Sequence, residues 1–179
     1  LSDGRNIVVT PRFSPDGREI TYTEISNGRV QVILKHLVTG QQEVLETAQG
    51  TSTFSPRFSP DGRGIVYSLA LNGNTDIYYM DLQTRGRERV TTAPSAETSP
   101  SISPDGRLVA FESDRSGSQQ IYVLNRQTGQ VRRISVQDRA RYATPVWSPN
   151  GDWIAFTRIK DGEFSIGVMR PDGTTEQIL

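Results

Sequence analysis

One short sequence, written four times, sets the architecture. "PRFSPDGREITYT" begins at Pro11, "PRFSPDGRGIVYS" at Pro56, "PSISPDGRLVAFE" at Pro100 and "PVWSPNGDWIAFT" at Pro145. The spacings are 45, 44 and 45 residues, so four such units account for all 179. A fixed period of this length marks a repeat architecture, and a unit of roughly 40–45 residues matches the four-stranded blade of a β-propeller. One blade cannot bury the faces of its own sheet; it has to stack on the next copy.

The first repeat spells out such a blade. "VVTPRFS" reads as a strand, "SPDG" turns it, "REITYTEI" runs back, "SNG" turns again, "RVQVILKHL" returns, "VTG" turns and "QQEVLET" finishes. In Ser14-Pro15-Asp16-Gly17 the proline presets φ at the first corner, Asp bonds to its neighbouring backbone and Gly accepts positive φ. The second connection carries Asn27-Gly28, Asn72-Gly73, Ser116-Gly117 or Asp161-Gly162, which are hairpin signals. Gly40, Gly86, Gly129 and Gly173 punctuate the third turn. The fold class expected is all-β: four antiparallel four-stranded blades at about 8–47, 53–92, 97–136 and 142–179, forming a single propeller domain over 1–179.

Period-two alternation assigns the faces. Ile20 and Tyr22, Ile65 and Tyr67, Val109 and Phe111, and Ile154 and Phe156 put apolar side chains on one side of each second strand. Phe13, Phe58, Ile102 and Trp147 share one position of the first strand and read as wedges between blades. Asp16, Asp61 and Asp105 form a row of acids, yet each sits in a turn, and Asn150 replaces the fourth. They read as turn-formers, not catalysts.

Composition narrows the function. Twenty basic residues balance twenty acidic ones, which leaves no electrostatic footprint for nucleic acid. No run approaches the roughly 18 apolar residues of a membrane span, and "LSDGRNIVV" is not a signal peptide. With no cysteine and a single histidine, His36, disulfides, thiolate nucleophiles and His-rich catalytic metal sites are not expected. His36 stands where the other repeats have Asp81, Asn125 and Arg170, which points to an exposed position. There is no G-x-S-x-G elbow. The chain reads as a non-enzyme with no cofactor and no metal.

The "FSPDGRxIxY" strand pair, "SDRSGSQQIYVLNRQTGQVRRIS" and "TPVWSPNGDWIAFTRIKDGEFSIGVMRPDG" resemble the propeller of the TolB family, over essentially the whole chain. The resemblance implies a periplasmic binding module of the Tol-Pal system, in which an N-terminal α/β domain precedes six blades. One propeller face receives Pal, the peptidoglycan-associated lipoprotein, in support of outer-membrane integrity and cell division. This chain carries four blades. Its longer and more varied connections, 47–56, 92–100 and 136–145, lie on the face that holds the Pal interface in the family, as does the opening "GRNIVVTP". Contacts just before each inner-strand proline map to Thr10, Ser55, Thr98 with Ser99, and Thr144; Thr98 retains the family's residue type. Arg139, Arg141 and Tyr142 add a charged and aromatic rim, with Glu97 opposite in sign. The same hydroxyls also serve to satisfy backbone groups where strands begin.

Two other readings stand beside this one. The blade also resembles the propellers of prolyl-oligopeptidase-like and tricorn-like serine peptidases, and the clean blade boundaries fit an engineered or truncated fragment. Four blades imply a fragment, a tight four-bladed ring, or a homo-oligomer joined through open blade flanks, with association through the flanks favoured over a closed four-bladed monomer. Peripheral association with the envelope and no membrane span are expected.

Overall fold

Each proline-turn sequence closes its hairpin with the same bonds. The Ser14 hydroxyl donates to Asp16 Oδ1 at 2.7 Å, the Arg18 amide donates to the same oxygen at 3.1 Å, and the Glu19 amide donates to the Ser14 hydroxyl at 2.9 Å. Gly17 closes the turn at φ +71°, a conformation that costs glycine nothing. The pattern recurs at Ser59 with Asp61 and at Ser103 with Asp105. In the fourth copy Asn150 Oδ1 accepts from Ser148 at 2.8 Å, so an amide oxygen replaces the carboxylate. The bond from the serine hydroxyl is also what most lowers the pKa of Asp16, Asp61 and Asp105.

The computed structural model describes residues 6–45, 50–136 and 138–179. The expected end of the first blade at 47, and parts of the connections 47–56 and 136–145 and of the opening segment, fall outside the described residues. Among the described residues every regular element is a strand.

The chain divides into two compact units, 1–92 and 93–179. The first unit holds β1 (Ile7–Phe13), β2 (Glu19–Ser26), β3 (Arg29–His36) and β4 (Gln42–Val44), then β5 (Ser52–Phe58), β6 (Gly64–Leu71), β7 (Asn74–Asp81) and β8 (Arg87–Arg89). The second holds β9 (Glu97–Ile102), β10 (Leu108–Ser113), β11 (Gln120–Asn125) and β12 (Val131–Arg133), then β13 (Arg141–Trp147), β14 (Ile154–Lys160), β15 (Glu163–Met169) and β16 (Glu176–Ile178). Each set of four is one antiparallel sheet in chain order. The fold is all-β, a β-propeller fold of four four-stranded blades, two to a unit.

Blades pack on one another within each unit. In the first, Val32, Leu34 and Leu45 of one blade meet Ile65, Tyr67, Leu69 and Met80 of the next, with Phe58 against them. In the second, Ala110, Ile121 and Val123 meet Tyr142, Trp147, Ile154, Phe156 and Met169. Full burial of side chains this size contributes about 1.5–3 kcal/mol each, which is why a blade needs its neighbour. The wedge reading holds for buried Trp147 and half-buried Phe58, each packed with the preceding blade of its unit; Ile102 is buried as well. Phe13 corrects it: this ring is 67% exposed. Phe58 reaches back onto the preceding blade.

Every inner strand breaks its ladder at the same place. The register shifts between Val9 and Arg12, Phe54 and Arg57, Thr98 and Ser101, and Ala143 and Val146. The residue before the proline in each bulge is left-handed: Thr10 at φ 54°, Ser55 at 53°, Ser99 at 54° and Thr144 at 51°. None is glycine, and two are β-branched, for which this conformation is an outlier. Such residues cost of order 1–3 kcal/mol each and cluster at functional sites.

Candidate partner-binding face

Register places the four bulges at one end of their blades. Ile7 pairs with Ile25 and Ser26 with Arg29, so the start of each inner strand lies beside the turn joining the second and third strands. The left-handed residues therefore share an end with Asn27-Gly28, Asn72-Gly73, Ser116-Gly117 and Asp161-Gly162.

In the first unit Thr10 is exposed and Ser55 half-buried. Thr23, 2% exposed on β2, serves both: its hydroxyl lies 3.1 Å from that of Thr10 and accepts the Ser55 amide at 3.1 Å. In the second unit Thr98 and Ser99 are half-buried and Thr144 is exposed, its hydroxyl 3.0 Å from that of Thr157. The Thr144 amide donates to Glu112 Oε2 at 3.1 Å. Glu112 is 8% exposed, and burial raises its pKa, against which the Thr144 amide and the Ser99 and Thr98 hydroxyls pull. A buried acid at this position escaped sequence reasoning. The signal was present, because the equivalent residues Thr23, Ser68 and Thr157 all carry hydroxyls.

Two expected rim residues are not at the surface. Glu97 is 0% exposed and bound by the Arg115 guanidinium, which stacks 4.7 Å from the Tyr122 ring centre and 5.5 Å from that of Phe111. Tyr142 is also 0% exposed, and its hydroxyl donates to Glu176 Oε1 at 2.9 Å. Burial, with the Glu176 and Asp138 carboxylates nearby, pushes this phenol up to about 12. Both residues stand three places ahead of a proline, as do Val8 and Thr53. Pleating turns that position inward, and the half-buried Val8 and buried Thr53 follow it.

Arg139 and Arg141 are exposed. Between β12 and β13, Asp138 accepts from the Ala140 amide at 2.9 Å and from Arg158 at 2.7 Å, with Lys160 at 3.6 Å. That tether fixes the backbone from which the two arginines project. His36 caps a turn: its Nδ1 accepts the Thr39 amide at 3.2 Å, as Asp81 accepts that of Thr84 and Asn125 that of Thr128. Among the described residues no group of three or more His, Cys, Asp or Glu side chains is placed to hold a metal ion, and no helix is long and apolar enough to cross a membrane.

A family model described as a TolB beta-propeller domain matches residues 1–179. The Tol-Pal system protein TolB of Wolbachia pipientis subsp. Culex pipiens (strain wPip) is 56% identical over 180 residues, which cover 100% of this chain and 43% of that protein. A crystal structure of TolB from Acinetobacter baumannii superposes with a TM-score of 0.89 at 32% identity, over 100% of this chain and 44% of that one. A puromycin hydrolase structure gives a TM-score of 0.78 at 14% identity, over 96% of this chain and 28% of that one, a likeness of fold alone. The chain spans 39% to 43% of the length of the curated TolB relatives it matches.

Proposed function

Since the chain belongs to the TolB beta-propeller family, we propose that it is a non-catalytic protein-binding propeller of the Tol-Pal cell-envelope system. On this reading it works in the periplasm and holds a Pal-like lipoprotein domain, supporting outer-membrane integrity and cell division. The partner sits on the end of the blades that carries Thr10, Ser55, Thr98, Ser99, Arg141 and Thr144. Glu97 and Tyr142 act from beneath it.

One observation carries the assignment of the face. Four non-glycine residues adopt the left-handed conformation at equivalent positions, and the hydroxyls they bear reach or approach the surface. Strain repeated in this way is supported when the geometry is needed, and here it aims short polar side chains and the adjoining backbone outward. The exposed Arg141 supplies an anchor type common at interfaces.

Titration of the chain with a purified Pal domain by isothermal calorimetry tests the reading. Saturable binding that Thr98→Arg weakens at least tenfold, a loss of about 1.4 kcal/mol, supports it. A well-folded chain that binds no Pal domain sinks it.

We also propose that chains of this length associate through apolar flanks. Ile7 and Phe13 are 61% and 67% exposed in the first unit, and Phe164 and Ile166 are 75% and 61% exposed in the second. A monomeric mass in sedimentation, with the β fold intact, would rule this out.

A further inference from the structure

The first blade leaves open a space that its siblings fill. Glu19 at the start of β2 is the cross-strand partner of His36 at the end of β3. The equivalent pairs are Gly64 with Asp81 and Leu108 with Asn125, and in the fourth blade Trp153 with Arg170, next along the ladder from Ile154 and Met169. In the second blade the Tyr79 ring lies over Gly64, so that a side chain at Gly64 would run into it. In the third, Leu108 packs on the buried core of its unit. In the fourth, the Arg170 guanidinium lies 4.2 Å from the centre of the Trp153 ring. The first blade has Leu34 where the second has Tyr79. A cleft of about 510 Å³ stands open there, lined by Glu19, Leu34, His36, Gln41, Gln42 and Glu43.

That volume suits a small organic ligand, and the lining says which kind. Leu34 is buried and supplies an apolar contact. Glu43 is bound by the Arg85 guanidinium of the second blade, so these two charges offset each other. The half-buried Glu19 carboxylate has no hydrogen bond or ion pair among the described residues, which leaves the lining one negative charge in excess. His36 Nδ1 accepts the Thr39 amide, so the neutral ring carries its proton on Nε2. Gln41 and Gln42 bring carboxamides. The sibling blade that closes this space with a charge does so with a guanidinium on an apolar stem, that of Arg170.

We propose that this cleft is a second binding site, for an organic cation: a guanidinium or ammonium on a short apolar stem, its charge on Glu19 and its stem against Leu34. A guanidinium can meet a carboxylate through paired N–H···O bonds. The site stands at the end of the β2–β3 hairpin opposite the turn between Ser26 and Arg29. It therefore lies away from the left-handed residues of its blade and does not depend on what they bind.

The test is nuclear magnetic resonance on the full chain, titrated with agmatine, which carries a guanidinium and an ammonium on a butyl stem. The backbone amides of Glu19, Leu34 and Gln42 report. Saturable shifts confined to the residues around the cleft are expected, with acetate producing none and Glu19→Gln weakening the affinity about tenfold or more. The double variant Glu19→Gly/Leu34→Tyr, which transplants the arrangement of Gly64 and Tyr79, is expected to abolish them. No saturable shift in the wild-type chain, shifts spread over exposed acids elsewhere, or an affinity unchanged in Glu19→Gln overturns the proposal. The wild-type and Glu19→Gln titrations stand even where the double variant fails to fold. Arginine within a capped tripeptide sorts the source of the cation: tighter binding than agmatine assigns it to a polypeptide, weaker binding to a free small molecule, and either supports the site.

Discussion

The hydroxyl of Thr23 accepts the amide of Ser55 at 3.1 Å while lying 3.1 Å from the hydroxyl of Thr10. One buried side chain on β2 thus supports the left-handed residue of its own blade and that of the next. Removing it strands a backbone donor between two packed sheets. Thr23→Val, nearly isosteric, is expected to destabilise the chain by about 1–3 kcal/mol, the cost of leaving such a group unpaired. Thr23→Ser keeps the acceptor and costs clearly less. Urea denaturation checks both, and equal losses for Val and Ser would show that methyl packing, not the hydrogen bond, is at stake.

The Glu97–Arg115 pair gives a second prediction. Glu97 is fully buried, whereas the Arg115 side chain is 26% exposed and covers two aromatic rings. Arg115→Met keeps much of the volume but leaves a buried carboxylate without its cation. A loss of about 3 kcal/mol is expected, with the double variant Glu97→Gln/Arg115→Met recovering part of it. A double variant no more stable than the single one would mean that Arg115 contributes mainly by stacking.

Glu112 predicts a pH dependence of stability. Its folded pKa lies above 4.5 because burial disfavours the charge, so the folded chain holds this proton more tightly than the unfolded one. The stability contributed by this group is fully present below pH 4.5 and declines as pH rises through the folded pKa. The turn aspartates, lowered in pKa, act in the other direction as pH falls through their own range. Subtracting the profile of Glu112→Gln isolates the Glu112 term. A difference profile flat between pH 4.5 and 8 would remove it.

Ser103 and Asp105 separate two parts of the turn chemistry. The Ser103 hydroxyl donates to Asp105 at 2.6 Å and accepts the Leu108 amide at 2.9 Å. Ser103→Ala is expected to cost about 1 kcal/mol or more, whereas Asp105→Asn stays within about 0.5 kcal/mol of wild type at pH 7, as for an ordinary surface substitution. Thermal unfolding distinguishes them. A larger loss for Asp105→Asn would mean that the charge matters, contrary to the substitution the chain already carries at Asn150.

Much of this architecture was legible in the repeat. The Pro-Asp-Gly and Asn-Gly turns are local, so each turn could be written from its own letters, and the alternation of Ile65 with Tyr67 or Val109 with Phe111 named the inner face. Other features depend on what lies across a strand or a blade. Phe13 and Phe58 share a motif, but Phe58 packs on the preceding blade and Phe13 is exposed. Positive φ is ordinarily signalled by glycine, and Thr10, Ser55, Ser99 and Thr144 give no such signal; their conformation follows from the bulge. Glu97 and Tyr142 were read as rim because charge and aromaticity suggested a surface. Lining up Val8, Thr53, Glu97 and Tyr142 would have shown an inward position.

That inward position has a consequence for how such a chain can change. The backbone treats the four residues as interchangeable, yet the three polar ones are each locked by a different key. Thr53 accepts the Val32 amide at 2.8 Å, Glu97 needs Arg115, and Tyr142 needs Glu176. A blade moved to another place in the order, or recombined strand by strand with a sibling, would match in shape and mismatch in chemistry, leaving an acid without its cation or a phenol without its acceptor. Copies alike in backbone are thus addressed parts, and a substitution in any one of them is constrained by partners its siblings do not share.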